Sequence, residues 1–480
     1  MNLFMWTDSL WTPRNYSRRE WLACSGGAFG LLALADLLSA ESPSPAPGET
    51  DRAAQPYAVR PPHHPARAKR VIFLYMPGGP SQLDLFDPKP RLAQENGKPL
   101  PFEKPKLERT KTGNLLASPW KFSRHGQSGI EVSELLPYTA SCIDDTCVIR
   151  SMVADNINHS GAALQLCTGE QAFSRPSMGS WLTYGLGTEN QNLPGFVVVS
   201  PVSVFQGAQL WASSFLPSAY QGTLVRDMKN PIANLSDPSR NSELQRAKLD
   251  ALHQFNDLHK RDRANESELD ARISSFELAF RMQREAPEAF DLTRESEATH
   301  RLYGTDKEPT EQFGRQCLLA RRLVERGVRF IQLFHAPQNN AWDHHSGLRE
   351  ELPERCARVD QPIAALLMDL KSRGLLDDTL VVWGGEFGRS PTAEGTDGRE
   401  HHPFGFTMWL AGGGVKGGLV HGATDEFGWH AVQDKVHIHD LHATILHLMG
   451  LDHTRLTYRF GGRDYRLTDV YGNVVQPILA

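Results

Sequence analysis

Short apolar runs recur along this chain, and longer stretches with helical spacing separate several of them. The runs span residues 70–76, 146–153, 195–200, 328–334, 379–383 and 406–410. Amphipathic helical patterns at 313–326 and 355–372 directly precede two of the runs. Strands that are apolar throughout are buried on both faces, and their alternation with helices is typical of a parallel sheet. The sequence therefore predicts an α/β fold with a mainly parallel sheet sandwiched by helices.

One segment, about 241–300, has a different character. It is rich in Lys, Arg, Glu, Asp, Ala and Leu at helical spacing and contains no apolar strand pattern. Such a pattern predicts helices with a charged, solvated face. We interpret the segment as a charged helical insertion on the sheet.

The N-terminal stretch carries a paired arginine, Arg18-Arg19, before a weakly apolar, glycine-containing run that ends near Ala40. This pattern resembles a twin-arginine export signal, and it predicts a signal peptide at 1–40 and a location in the periplasm or cell envelope. An amphipathic helix that begins the domain is the alternative. Residues 41–67 are Pro/Ala-rich and predict a linker before a domain at 68–480. After signal removal, no integral membrane segment is expected.

The overall charge excludes some classes of partner. The chain of 480 residues is 40% hydrophobic and 22% charged, with a formal net charge of −5. This balance gives no basis for binding nucleic acid or an acidic membrane surface.

Polar side chains collect where the predicted strands end, which is where parallel sheets form their sites. Those that we select are Asp84, His159, Asp343, His345, Glu386, Arg389 and His402. Carboxylates and imidazoles are ligands for zinc or manganese, and carboxylates for calcium. We therefore predict a divalent metal ion, of one of these kinds, bound by Asp343, His345, His402, Glu386 and Asp84. Asp84 is otherwise a natural turn residue before Pro88.

Several alternatives remain open among these ligands. His344 competes with His345, and His401 competes with His402, because neighbouring positions have the same chemistry. Glu386 could instead satisfy backbone donors in a tight glycine loop.

Several segments together resemble the alkaline phosphatase and sulfatase superfamily. Within it, the chain is similar to an exported family of unknown function, numbered fifteen-oh-one and common in planctomycetes. The segments are Gly78–Pro90 (GGPSQLDLFDPKP), Thr379–Gly388, Gly385–Pro391, Gly412–Gly418 and Asp440–Leu446. The resemblance implies an alkaline-phosphatase-like fold and metal-dependent hydrolysis of phosphate or sulfate esters. The implied substrate is a small anionic ester or a sulfated or phosphorylated glycan.

The chain departs from the superfamily at the nucleophile. Sulfatases place a formylglycine-forming Cys ten residues before the last glycine of their motif, and His159 stands at that distance from Gly169. Formylglycine chemistry is therefore not expected. His159 could be a nucleophile, a general base or a metal ligand. Arg389 could hold the anionic ester.

A non-catalytic function is the competing hypothesis. The first strand ends in Met76, where the superfamily usually has a metal-binding Asp. An envelope binding protein that keeps the fold with an eroded metal site would explain this loss. It would be favoured if Asp343, His345 and His402 point apart or pair with arginines.

Overall fold

A nine-stranded sheet forms the centre of the protein in a computed structural model that describes residues 55–103, 113–228, 231, 241–261, 267–337 and 339–480. The described strands are β1 Arg70–Tyr75, β2 Phe122–His125, β3 Ile130–Ser133, β4 Thr146–Val153, β5 Phe196–Val199, β6 Thr223–Val225, β7 Phe330–Phe334, β8 Thr379–Gly384, β9 Gly388–Ala393, β10 Arg399–His402, β11 Phe406–Ala411, β12 Leu419–His421, β13 Ala423–Thr424, β14 Ala431–Gln433, β15 Val436–His437, β16 Tyr458–Phe460 and β17 Arg463–Tyr465.

The described α-helices follow the same numbering along the chain. They are α1 Gln82–Leu85, α2 Pro90–Gln94, α3 Pro137–Ser141, α4 His159–Thr168, α5 Met178–Leu186, α6 Ser242–Arg261, α7 Ser267–Phe290, α8 Glu297–Tyr303, α9 Glu311–Glu325, α10 Leu348–Ser372 and α11 Ile438–Leu448. Helices α6 and α7 lie within the segment predicted as a charged insertion.

The strand order in the sheet is β12-β4-β11-β8-β1-β7-β5-β6, with β15 also paired to β4. Every pairing is parallel except those of β11, which runs antiparallel to both β4 and β8. A parallel β11 would need a long crossover after β8. Instead, the β9–β10 hairpin lies between β8 and β11, and β11 runs back along β8.

Helices cover both faces of the sheet, as the alternating side chains of β1 demonstrate. Ile72 and Leu74 pack in one apolar core with side chains of α9 and α10. Val71, Phe73 and Tyr75 pack in a second core with side chains of α4, α5 and α11. Successive side chains of a strand point to opposite faces, so each face has its own core. The predicted α/β fold with a mainly parallel sheet between helices is confirmed.

The described part of the N-terminal region contacts this domain. Backbone N–H groups of His63 and Arg67 donate to the carbonyls of Gly450 and Leu448. The predicted signal peptide at 1–40, and the linker as far as residue 54, lie outside the described residues. In the part of the chain that is described, no helix has the length and apolarity needed to cross a bilayer.

Candidate metal centre

Four side chains from distant parts of the chain meet at the carboxyl end of the sheet: His159, Asp343, His345 and His401. One donor atom from each lies within 4.8 Å of the others. His159 follows β4, whereas Asp343 and His345 follow β7. His401 lies on β10, which precedes the antiparallel β11 and therefore reaches the same rim. The cluster thus arises where the strand directions of the sheet place these segments.

Local structure fixes the position of each segment. His159 is the first residue of α4, and the Asn158 side chain caps that helix by accepting from the Ser160 N–H at 3.0 Å. Gly78, with φ +112°, lets the Asp343 loop approach closely, because a Cβ there would lie 2.6 Å from the Asp343 nitrogen. At Gly398 a Cβ would lie 1.8 Å from the His345 carbonyl oxygen. A side chain at either glycine would displace the loop that carries Asp343 and His345.

The Asp343 carboxylate lies at the centre of the cluster. Its Oδ2 is 3.0 Å from His159 Nε2. Its Oδ1 is 3.0 Å from His345 Nε2 and 3.2 Å from His401 Nε2. The two imidazole nitrogens, His345 Nε2 and His401 Nε2, are themselves 3.0 Å apart. Nitrogens bound to one tetrahedral zinc lie about 3.4 Å apart, so the spacing suits ligands of a shared ion.

Each of the three histidines directs its other ring nitrogen, Nδ1, to a fixed acceptor. His159 Nδ1 is 2.7 Å from Glu386 Oε1, and His401 Nδ1 donates to the Ile157 carbonyl at 2.8 Å. His345 Nδ1 hydrogen-bonds to the Glu394 carboxylate. Metal-binding histidines almost always donate their second ring nitrogen to a carboxylate or carbonyl. The whole set follows this rule.

The resulting tautomers require a positive charge at the centre. A carbonyl only accepts, so neutral His401 carries its proton on Nδ1 and presents a lone pair on Nε2. That lone pair faces the Asp343 carboxylate, an arrangement that is repulsive unless a cation lies between them. Protons on His159 and His345 supply this charge in the metal-free protein, and a divalent ion would supply it in their place. The residues therefore fit a metal ion.

The pKa values of the cluster agree with this arrangement. Burial would raise the pKa of Asp343, but hydrogen bonds from His159 and His345 and the charge of Arg389 hold it well below its ordinary value. Burial would lower the pKa of His159, but Asp343 and Glu386 outweigh burial and raise it to about 9. Burial lowers the pKa of His401 to about 4. His401 is thus neutral at pH 7, whereas His159 is protonated until it binds a metal.

Glu386 lies behind the cluster. Its Oε1 contacts His159 Nδ1 and also accepts from the Gly78 N–H at 2.9 Å. It therefore satisfies a backbone donor of the glycine loop, as the alternative from sequence proposed, and orients His159 as well. Glu386 is not among the four residues whose donor atoms lie within 4.8 Å of one another.

Arg389 is placed differently from the sequence expectation that it holds an anionic ester. Its side chain is fully buried, and Nη2 donates to Asp343 Oδ1 at 2.7 Å. Nε donates to the Gly79 carbonyl at 3.0 Å, and Nη1 donates to the Arg399 carbonyl at 3.1 Å. Because its donors are occupied inside the protein, Arg389 orients Asp343 and is not positioned to contact a substrate.

Two predicted ligands, Asp84 and His402, lie outside the cluster. Asp84 is fully buried in an ion pair with Arg399, at 2.8 Å between Oδ2 and Nε. His402 is fully buried, and its Nε2 hydrogen-bonds to the Trp429 carbonyl. The pleat of β10 separates His402 from His401, because adjacent residues of a strand face opposite sides. The structure thus brings His401 into the cluster in place of His402.

The acidic partners of His345 were not selected from the sequence. Glu394 hydrogen-bonds to His345 Nδ1, and Glu400 Oε1 lies 3.8 Å from the same atom. Both belong to the β9–β10 hairpin region, which has no apolar alternation to mark its strands. The signal available in the sequence was the acidic residue directly before His401 and His402.

A family profile described as "Protein of unknown function (DUF1501)" matches residues 68–479 of the chain. No curated protein sequence is significantly similar to it.

Solved structures to which the chain is similar include the lipoteichoic acid synthase LtaP from Listeria monocytogenes, with 12% identity, a TM-score of 0.32, and coverage of 84% of this chain and 78% of that chain. The alkaline phosphatase of the Antarctic bacterium TAB5 has 11% identity, a TM-score of 0.33, and coverage of 80% and 99%. The PsFucS1 sulfatase from Pseudoalteromonas sp. has 12% identity, a TM-score of 0.32, and coverage of 85% and 72%. Similarity at these identities and TM-scores does not indicate that this chain shares a substrate or a mechanism with those proteins.

Proposed function

Because the chain belongs to the DUF1501 family of proteins of unknown function, whose description assigns no activity, we propose from its site that it is a metal-dependent hydrolase of phosphate or sulfate esters. The observation that carries the proposal is the set of three imidazoles and one carboxylate at the rim of the sheet, each imidazole held by a second hydrogen bond. The motif resemblance to the alkaline phosphatase and sulfatase superfamily supports the same class of reaction.

The metal ligands in this proposal are His159, Asp343, His345 and His401. The cluster is partly exposed to solvent, since the side chains of Asp343, His345 and His159 are 22%, 16% and 11% exposed. A catalytic metal site keeps a position for water or substrate, which beside four protein ligands requires an ion that accepts five or six ligands. The partial exposure therefore supports a catalytic site.

The position of His159 bears on which group attacks the ester. His159 occupies the sequence position of the superfamily nucleophile, and its Nε2 is directed at the Asp343 carboxylate. Its role as a ligand favours water as the attacking group. A bound divalent ion lowers the pKa of its water toward neutrality and polarises the ester oxygen. Glu386 keeps His159 in the required tautomer, and Arg389 holds Asp343 in place.

Metal content and ester hydrolysis test this proposal together. Purified protein reconstituted with zinc, manganese or calcium is analysed by inductively coupled plasma mass spectrometry and assayed on phosphate monoesters, phosphate diesters and sulfate esters. We expect about one ion per chain and metal-dependent hydrolysis of one ester class. Protein that binds no stoichiometric ion and hydrolyses none of these esters with any metal would contradict the proposal.

Adjacent histidines provide a matched pair of variants. His401→Gln removes a proposed ligand, and we expect it to lose stoichiometric metal and hydrolysis. His402→Gln alters a buried histidine on the same strand that lies outside the cluster, and we expect it to retain metal. Circular dichroism checks that both variants fold. Equal metal loss in two folded variants would show that His401 has no special role.

One observation favours a second candidate function. Arg389 pairs with Asp343, which is the arrangement expected of a non-catalytic envelope binding protein with an eroded metal site. In that case His159 and His345 stay protonated and neutralise Asp343 without a metal. The metal measurement above separates the two candidates, because only the hydrolase retains an ion.

We also propose export through the twin-arginine route to the periplasm or cell envelope, on the basis of Arg18-Arg19 and the apolar run after them. Replacement of both arginines by lysine in the full chain tests it. We expect the variant to remain in the cytoplasm, whereas the unchanged chain is recovered from the periplasmic fraction. Equal export of both would contradict this route.

A further inference from the structure

A cavity of about 830 Å³ has Asp155, Glu170, His439 and Tyr471 among its lining residues. One wall includes Asp155, which lies four residues before His159 on the loop that leads into α4. Four residues span at most about 14 Å, so the backbone of this wall residue lies within that distance of the His159 backbone. The volume is in the range of small-molecule sites. The cavity is therefore large enough for one unit of an extended substrate.

The charges of the cavity wall disfavour an anionic ligand. Four carboxylates line it, and no Lys or Arg does so among the described residues. The carboxylates belong to Asp155, Glu170, Asp440 and Asp469. An ester phosphate or sulfate placed here would face like charges at close range. The anionic part of a substrate would therefore lie elsewhere.

The same carboxylates are not arranged for a cation. Asp155 pairs with His437 at 3.1 Å, and Glu170 pairs with Arg175 at 2.9 Å. Asp440 accepts from the backbone N–H groups of His437 and Asn473, at 2.9 and 2.7 Å. The described part of the chain has two groups of three or more potential metal donors, the cluster above and His345 with Glu394 and Glu400, and neither includes these four carboxylates.

The wall keeps hydrogen-bonding capacity beside its negative charge, since Asp440 is held by backbone N–H groups and not by a cation. A carboxylate has about four acceptor positions, so these groups can still accept from hydroxyl donors. Gln171 and Asn473 add amide donors and acceptors to the lining. A polyhydroxylated neutral ligand matches such a surface, because its hydroxyls both donate and accept.

An aromatic platform completes the site. Tyr471 lines the cavity, is 62% exposed, and stacks on His439 with ring centroids 5.2 Å apart and planes 11° from parallel. A ring held flat and open on one side can pack against the apolar C–H face of a sugar, while its hydroxyl remains hydrated.

We propose that this cavity binds a neutral sugar unit. That the sugar belongs to the ester substrate rests on the proposed function, with the ester at the metal centre and an unmodified neighbouring unit in the cavity. Binding of the sugar itself does not depend on the metal.

Isothermal titration calorimetry with chelator-treated full-length protein tests the cavity alone. The probes are neutral pentasaccharides of β-linked glucose, mannose, galactose and N-acetylglucosamine, together with sulfated and phosphorylated hexoses. We expect at least one neutral pentasaccharide to bind, and to bind more tightly than either anionic sugar. Failure of every neutral probe, or tighter binding of an anionic one, would overturn the proposal.

Variants locate the binding. Tyr471→Ala should weaken the affinity about fivefold or more through loss of stacking. Gln171→Ala, which removes an exposed amide of the lining, provides a second variant should Tyr471→Ala fail to fold. Tyr138→Ala removes an exposed tyrosine outside the cavity and should bind like the unchanged protein. Unchanged affinity in folded Tyr471→Ala and Gln171→Ala would overturn the proposed location.

His401→Gln separates this proposal from the proposed function. The variant should lose metal and hydrolysis while it still binds the neutral pentasaccharide. A protein that binds sugar but never metal would refute the hydrolase and leave the cavity site standing, and the reverse result would refute the cavity site alone.

Discussion

At the scale of single residues, His159 makes metal binding depend on pH. Its pKa in the metal-free protein is raised to about 9 because Asp343 and Glu386 outweigh the effect of burial. A ligand imidazole must lose the proton on its metal-binding nitrogen, so a metal competes with that proton below pH 9. The direction follows from the raised value: higher pH removes the competitor and strengthens binding.

We therefore expect the metal affinity to rise between pH 7 and 9, with His159 contributing up to about tenfold per pH unit and His345, whose pKa is also raised, adding to the rise. Titration against a chelator of known affinity measures this slope, and calorimetry in buffers of different ionisation enthalpy counts the protons released. His159→Gln should make the profile less steep by the share of one proton. An affinity that does not change between pH 7 and 9 would show that His159 is not a ligand.

Glu386 acts through His159, and its effect can be separated from direct ligation. Glu386→Gln keeps the size of the side chain but removes the charge that faces His159 Nδ1. Loss of such a partner typically lowers metal affinity by about 10- to 100-fold, whereas the ion is still bound at high concentration. Glu189→Gln, at a partly exposed ion pair with Arg70, serves as the control and should not change affinity. Complete loss of metal from Glu386→Gln at saturating concentration would instead make Glu386 a ligand.

At the scale of elements, Asp84 connects α1 to the strand that carries His401. Its carboxylate forms two hydrogen bonds with Arg399 of β10, at 2.8 and 3.1 Å, and both side chains are fully buried. The Ser81 hydroxyl donates to the same carboxylate at 2.5 Å. Asp84 thus contributes to the metal centre by holding β10.

Asp84→Asn leaves the buried Arg399 charge without its counterion. We expect the free energy of unfolding to fall by about 3–5 kcal/mol, measured by urea denaturation. Glu95→Gln, at an exposed ion pair with Lys98, should change it by less than about 1 kcal/mol. A loss at position 84 as small as that at position 95 would mean that the pair contributes nothing specific.

Strands with strong apolar patterns were predictable from the sequence, and the hairpin at the site was not. The run at 146–153 coincides with β4, and the run at 379–383 is β8 without its last residue. Strands β9 and β10 are buried but polar, with the sequences RSPT and REHH at their cores. Their burial depends on long-range partners such as Gln82 and Asp84, which a local pattern does not reveal.

The same limit applies to the site residues. Asp343, His345 and His159 follow apolar strands, so their meeting at one rim could be expected from the sheet. The choice between His401 and His402 depends on the pleat of β10, which the sequence left open. The role of Arg389 depends on three carbonyls around its guanidinium, those of Gly79 and Trp342 in distant loops and that of Arg399 on the partner strand β10.

At the scale of the whole molecule, the candidate centre joins segments that are far apart in sequence. Its four residues lie in three segments between residues 159 and 401, which the sheet alone brings together. An ion bound by all of them exists only in the folded chain, so binding must stabilise folding. The size of this effect follows from mass action alone.

At a free metal concentration of 100 times the dissociation constant, we expect the free energy of unfolding to increase by about 2.7 kcal/mol. Thermal denaturation followed by circular dichroism should show a higher midpoint with metal and a return to the metal-free value after chelation. His401→Gln should show no such shift, whereas His402→Gln should retain it from its own starting midpoint. A shift that persists in folded His401→Gln would place the stabilising ion elsewhere, because no stabilisation by this centre can survive the loss of a ligand at low metal concentration.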